Sequence, residues 1–130
     1  MSRPRAREFG VQIGSLEPGA NNAITDVPGV MVGHSTLVMG EGPLVVGQGP
    51  VRTGVTAIVP HPGNVFRNKV KAGVHVINGF GKSVGLSQVE ELGVLETPIL
   101  LTNTLSVGPA LDALVQYVLA QNPEIGISTS

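Results

Sequence analysis

The sequence holds no cysteine and no tryptophan, and it has only four aromatic side chains, Phe9, Phe66, Phe80 and Tyr117. Without cysteine there are no disulfides, no cysteine–zinc sites and no thiol nucleophile. With so few aromatics, a base-stacking platform for single-stranded nucleic acid cannot be built. Charge is scarce as well. Charged residues make up 13% of the chain, about half the roughly 25% of an ordinary soluble domain. The 8 basic and 9 acidic residues leave a net charge of −1, which argues against a nucleic-acid partner. No apolar run approaches the roughly 18 residues that a membrane span requires, so no membrane partner is expected. The N-terminus has arginines but no apolar stretch behind them, unlike a secretory signal. The expected location is the cytoplasm.

Glycine is abundant, at 18 of 130 residues, with 10 prolines beside it. The 42% of hydrophobic residues nevertheless argues for a folded chain over a disordered one. A length of 130 residues fits one domain or a piece of one.

Along the chain, residues 1–28 read as irregular, since Gly14, Pro18, Gly19, Asn21 and Asn22 break any period. GVMVGHSTLV (29–38) reads as a strand. Residues 39–50, with four glycines and two prolines, read as a hairpin-like loop, and VRTGVTAIVP (51–60) as a second, buried strand. His61-Pro62-Gly63-Asn64 signals a turn. AGVHVIN (72–78) reads as a third strand and PILLTNT (98–104) as a fourth, buried one.

GLSQVEEL (85–92) predicts a short helix, with Ser87 and Glu90 at capping-box spacing and Gly93 as its stop. Residues 107–121 carry the clearest helical period: Val107, Ala110, Leu111, Leu114, Val115, Val118 and Leu119 share one side. Ser106 can cap that helix, Pro109 is tolerated in its first turn, and Asn122-Pro123 ends it. Residues 125–128 look like the start of another strand. Strands and helices of this mixture place the chain in the α/β class, of the α+β kind.

The usual catalytic motifs are missing. His34, His61 and His75 show no HxH or HExxH spacing, and read as structural or loop histidines. Gly81-Lys82-Ser83-Val84-Gly85 has the GxSxG spacing, but it lies several residues past the strand read at 72–78 and not on the tight strand-to-helix turn that a nucleophile elbow needs. Val84 stands where a dinucleotide fingerprint from Gly79 needs its third glycine, and Val76 where a P-loop ending in Gly81-Lys82-Ser83 needs its first. Glu90 and Glu91 are adjacent and diverge on a helix, so they form no carboxylate pair. Two loops remain as candidate pocket linings, because each follows an apolar strand with small or polar residues: Asn78-Gly79-Phe80-Gly81 and Thr102-Asn103-Thr104-Leu105-Ser106. The candidate substrate-binding residues are Asn78, Gly79, Gly81, Asn103 and Thr104. No metal and no cofactor is indicated.

Four blocks carry a wider likeness. NAITDVPGVMVGH (22–34), RTGVTAIVPH (52–61), AGVHVINGFGKSVGLSQVEELGVLETPI (72–99) and LLTNTLSVGPALDALV (100–115) resemble, in order, the start of peptidase family S58. This is the family of the DmpA-type L-aminopeptidase D-esterase/amidases and the β-peptidyl aminopeptidases.

The resemblance implies a four-layer α-β-β-α sandwich, DmpA/ArgJ-like and similar to the Ntn hydrolases. Residues 1–130 would form one partial domain, the N-terminal part of an α-chain, with 1–22 as an irregular lead. It also implies a precursor that cleaves itself at a Gly–Ser bond. The serine so exposed at the start of the β-chain is then the nucleophile. The implied partners are the rest of the α-chain, the β-chain, a small peptide or amide substrate, and further αβ units in a homo-oligomer. No catalytic residue of the family maps onto these 130 residues. Lys82 stands where the family's NGxG loop often has Glu. The alternative from a different class is a non-catalytic binding or assembly module on the same half-fold, which requires a closed core of its own.

Overall fold

The computed structural model describes residues 4–126. Two nine-residue strands, β1 (Met31–Met39) and β2 (Val51–Val59), form an antiparallel hairpin in which Met31 faces Val59 and Met39 faces Val51. The loop at 40–50 that joins them is the glycine- and proline-rich stretch. β-Branched residues dominate β2, which suits a pleated surface.

Two-residue strands β3 (Val70–Lys71) and β4 (Val94–Leu95) pair with each other as a separate ribbon. A four-residue strand, β5 (Ile99–Thr102), returns to pair antiparallel with β2, giving the order β1-β2-β5. Helix α1 (Leu86–Leu92) precedes β4, and helix α2 (Val107–Gln121) follows β5. Every strand pairing is antiparallel and the helices come late in the chain, as in an α+β fold.

The 107–121 helix appears with the bounds its period predicts. Its inward stripe runs Val107, Ala110 and Leu114, all half-buried, to Val118, which is buried. α1 stops at Gly93, whose φ of 66° and N–H bonded to the Val89 carbonyl make a left-handed helix end that glycine adopts without a Cβ penalty.

Several expectations are corrected. Residues 72–78 form no strand; regular pairing ends at Lys71. Valine, histidine and isoleucine supply strand propensity there, but among the described residues no neighbouring strand pairs with that backbone. The strands read as buried are not: β2 is half-buried along most of its length, and β5 alternates between exposed and half-buried. The Ser87–Glu90 capping box does not form, because α1 starts at Leu86 after a left-handed Gly85 and has no side-chain cap. Ser106 does not cap α2 either. Ile125 and Gly126 lie in a turn, while 127 and 128 of the expected last strand fall outside the described residues, as do residues 1–3 of the irregular lead. Among its described residues that lead contains a short 3-10 turn at Ala6–Phe9, and another follows it at Ile24–Asp26.

Very little is buried. Val65, Pro98, Val118 and Asn122 are the buried residues among those described. They line one small crevice, where the loop after β2 meets the end of α2. Asn122 is 1% exposed. Its amide accepts from Asn64 Nδ2 at 2.8 Å and donates to the Val118 carbonyl at 3.0 Å. An ion pair between Arg67 and Glu124 closes the same junction from outside. The total accessible surface is 10179 Å², about 3,700 Å² more than a compact chain of this mass presents.

The N-terminal segment is tied down by one carboxylate. Asp26 accepts from Asn21 N–H, Asn21 Nδ2 and Ala23 N–H at 2.8–3.1 Å. Arg5 reaches over to the Asn21 and Asn22 carbonyls. The Ala23 N–H, then the Asn21 amide groups and the Arg5 charge, hold the Asp26 carboxyl below its usual 3.8, against some lost hydration. A depressed carboxyl pKa stabilises the fold above the unfolded-state value and ceases to as pH falls through the folded one. The clasp is therefore expected to hold at pH 5 and above and to open in acid below about pH 4. Amide exchange at Asn21 and Ala23, followed from pH 6 to pH 2.5, should rise there beyond its intrinsic pH trend. In Asp26→Asn that extra rise should vanish.

Candidate functional site

β5 delivers the chain to Asn103, and this side chain organises the turn beyond it. Its Oδ1 accepts from the N–H groups of Leu105 and Ser106, both at 3.1 Å. Its Nδ2 donates to Thr53 Oγ1 at 2.7 Å and to Ser106 Oγ at 3.0 Å. Asn103 thus caps the 3-10 turn Thr104–Ser106 that leads into α2. It also ties that turn to β2. Thr102 Oγ1 adds a bond to the Gly54 carbonyl at 3.0 Å. Thr104 sits exposed at the start of the turn.

The other candidate loop is more open. Asn78 Oδ1 accepts from Phe80 N–H at 3.0 Å, an Asx turn. A methyl group built on Gly79 or Gly81 meets no atom within 4 Å. Lys82 folds back to the Phe80 carbonyl at 3.1 Å. Phe80 and Leu105, the apolar tips of the two loops, are 90% and 91% exposed.

A concavity lies beside these loops. It is a groove of about 430 Å³ between α1, the β4–β5 segment and the inner face of α2. Its floor is apolar. None of the five candidate residues lines it, although their neighbours Lys82 and Thr102 do. In its wall stands Glu96, whose side chain is 9% exposed and paired with Lys69. Gln88 Nε2 donates to the second Glu96 oxygen at 3.0 Å, and Lys69 lies 5.0 Å from the centre of the Phe66 ring. This node joins α1 to the segment before β3. Residues 69, 88 and 96 share no short motif, so their convergence was not visible in the sequence.

For bond cleavage the described residues offer little by themselves. His34 Nδ1 lies 2.8 Å from Thr56 Oγ1, a base and a hydroxyl in contact. No carboxylate is bonded to that imidazole to orient it, as a triad would need. His61 is engaged by its own turn, through the Asn68 carbonyl and Gly63 N–H. Among the described residues no three of His, Asp and Glu gather to hold a metal ion, and no helix is long and apolar enough to cross a membrane.

Comparison with known proteins supplies the class. The chain is similar to solved structures of aminopeptidases. It matches a Burkholderia sp. beta-aminopeptidase at 47% identity and TM-score 0.78, covering 92% of this chain and 32% of that one. It matches the L-aminopeptidase D-Ala-esterase/amidase of Ochrobactrum anthropi, described as a new variant among the Ntn hydrolase fold, at 38% identity and TM-score 0.71. That match covers 91% of this chain and 32% of the other. The α+β arrangement is thus part of an aminopeptidase fold of the Ntn-hydrolase type.

The sequence profile of peptidase family S58 matches residues 22–130, and the chain belongs to that family. Beta-peptidyl aminopeptidase BapA of Sphingosinicella microcystinivorans is 50% identical over 115 residues, 88% of this chain and 28% of that protein. The PH0078 protein of Pyrococcus horikoshii OT3 superposes with TM-score 0.85 at 55% identity, over 98% of this chain and 36% of its own. The chain therefore spans about a third of the length of the relatives it matches.

Proposed function

We propose that this chain is the N-terminal part of the α-chain of an S58-type aminopeptidase, and that it acts as scaffold and pocket wall without activity of its own. The observation that carries this reading is the 50% identity with a β-peptidyl aminopeptidase over 88% of the chain but 28% of that protein. The exposed apolar surface supports it. With four buried residues among those described, the sheet and helices are left to be covered by something else. The rival reading, an independent binding module, needs a closed core that the described residues lack.

In the complete enzyme the nucleophile would be the N-terminal serine of the β-chain, with its own α-amine as base. Its oxygen would attack the acyl carbon, hydrogen-bond donors would stabilise the developing oxyanion, and the amine or alcohol would leave with the serine proton. Water would then release the acyl group. The contribution of this chain is placement. Asn103 fixes the Thr104–Ser106 turn against β2, and the Asn78–Gly81 loop presents a backbone with open space at both glycines. Asn78, Gly79, Gly81, Asn103 and Thr104 are the proposed pocket lining. The proposed partners are the remaining α-chain segment and the β-chain, with αβ units assembling further.

The test assays the purified 130-residue chain on amino-acid p-nitroanilides, alone and co-expressed with the missing part of its precursor. The expected result is no hydrolysis alone and hydrolysis by the complemented protein, with a second chain whose sequenced N-terminus is serine. Turnover by the chain alone, or full activity after changing that serine to alanine, overturns the reading.

A further inference from the structure

β1 is the outer strand of its sheet: it pairs with β2 on one side and with nothing among the described residues on the other. Long outer strands usually carry protection, such as a charge, a proline or a bulge, because a bare row of N–H and C=O groups templates further pairing. β1 has none of these. Its nine residues, MVGHSTLVM, contain no Lys, Arg, Asp, Glu or Pro, and they pair with β2 without a break in register. Met31, Leu37, Val38 and Met39 are all about half exposed.

The strand also reads nearly the same in both directions. Reversed about Ser35, Met31 falls opposite Met39, Val32 opposite Val38, His34 opposite Thr36, and Ser35 opposite itself. Only Gly33 against Leu37 is unmatched. An antiparallel pair related by a twofold axis imposes that reversal, and directly opposed side chains then lie on the same face. Apolar residues meet apolar residues at both ends, and a histidine meets a hydroxyl near the centre, with no like charges opposed. The other outer strand, β5, lacks this property. It has four residues, and its own reversal sets Ile99 against Thr102.

We propose that β1 is an assembly edge, pairing antiparallel with β1 of a second copy of this chain about a twofold axis at Ser35, to make one continuous six-stranded sheet. The inference stands apart from the catalytic reading, since it concerns an edge that includes none of the proposed pocket residues.

The lack of cysteine allows a test specific for register. Opposed residues on antiparallel strands lie within the Cα separation that a disulfide tolerates. Ser35→Cys in the full chain is expected to oxidise to a covalent dimer at least tenfold faster than His34→Cys or Thr36→Cys alone. A mixture of those two variants should give the cross-linked heterodimer. Ser35→Lys, which opposes two cations at the axis, should shift sedimentation from dimer toward monomer while far-UV circular dichroism is unchanged.

Four results would overturn the proposal. One is a Ser35→Cys chain that is monomeric at 100 μM, about the top of a practical range, with its thiol still reduced. Equal cross-linking at all three positions would mean non-specific association. Preferential cross-linking of Leu101→Cys would place the contact on β5. Protection of the Ser35→Cys thiol only on co-expression with the rest of an S58 precursor would give the edge to that segment instead.

Discussion

Asn122→Ala is expected to lower stability by about 2–4 kcal/mol, since it leaves Asn64 Nδ2 and the Val118 carbonyl without a partner where water barely reaches. A typical domain has only about 5–15 kcal/mol to lose. Here the loss falls on one of four buried residues among those described, so the expected urea profile has a much lower midpoint or no cooperative transition at all. Asn122→Asp separates the two bonds. A carboxylate still accepts from Asn64 but opposes the Val118 carbonyl, and at 1% exposure its charge is poorly hydrated. That variant should be less stable than Asn122→Ala at neutral pH. It should recover on acidification, when the protonated acid can donate to the carbonyl. A midpoint within about 0.5 kcal/mol of the parent for either variant at pH 7, the scatter of an ordinary surface change, would show that the junction does not hold the two segments together.

Gly54→Ala should open the hairpin. A Cβ there would lie 2.5 Å from the Ser35 carbonyl oxygen and 3.3 Å from Thr36 Cα. Both are backbone atoms of the neighbouring strand and neither can turn aside. The strands must part locally, at an expected cost of about 1–3 kcal/mol. The change should show as lost amide protection in β1 around Ser35. Gly33→Ala is the internal control. It lies on the same hairpin, opposite Ala57, and a Cβ there meets nothing within 4 Å. It should be neutral, or slightly stabilising through reduced freedom of the unfolded chain. Equal effects of the two substitutions would contradict the close approach at Gly54.

The elements that could be read from the sequence are those whose signal is local. α2 was legible because its period, its early proline and its terminal Asn-Pro agree. β1 and β2 were legible from β-branched residues flanking a glycine-rich loop. What misled was burial. Apolar runs at 51–60 and 98–104 imply cover on both faces, and the cover is absent from the described residues. The same reason undid 72–78, where propensity without a neighbouring strand gave no pairing. The site was partly visible: Asn103 stood out by its position after an apolar strand. Three of its four bonds are local, but the fourth reaches Thr53, fifty residues away, and the Lys69–Glu96–Gln88 node spans separations that no short motif encodes.

The order of the sheet has a consequence for synthesis. β1 and β2 are consecutive in sequence, so the hairpin is complete once Val59 has left the ribosome. β5 follows about forty residues later, roughly 2–8 s at ordinary elongation rates. A hairpin forms in microseconds. During that interval the nascent chain displays a finished two-stranded ribbon with both edges unpaired, and the outer one carries no charged gatekeeper. A chaperone that masks apolar strands, or a neighbouring ribosome on the same message, would meet β1 before the rest of the protein does.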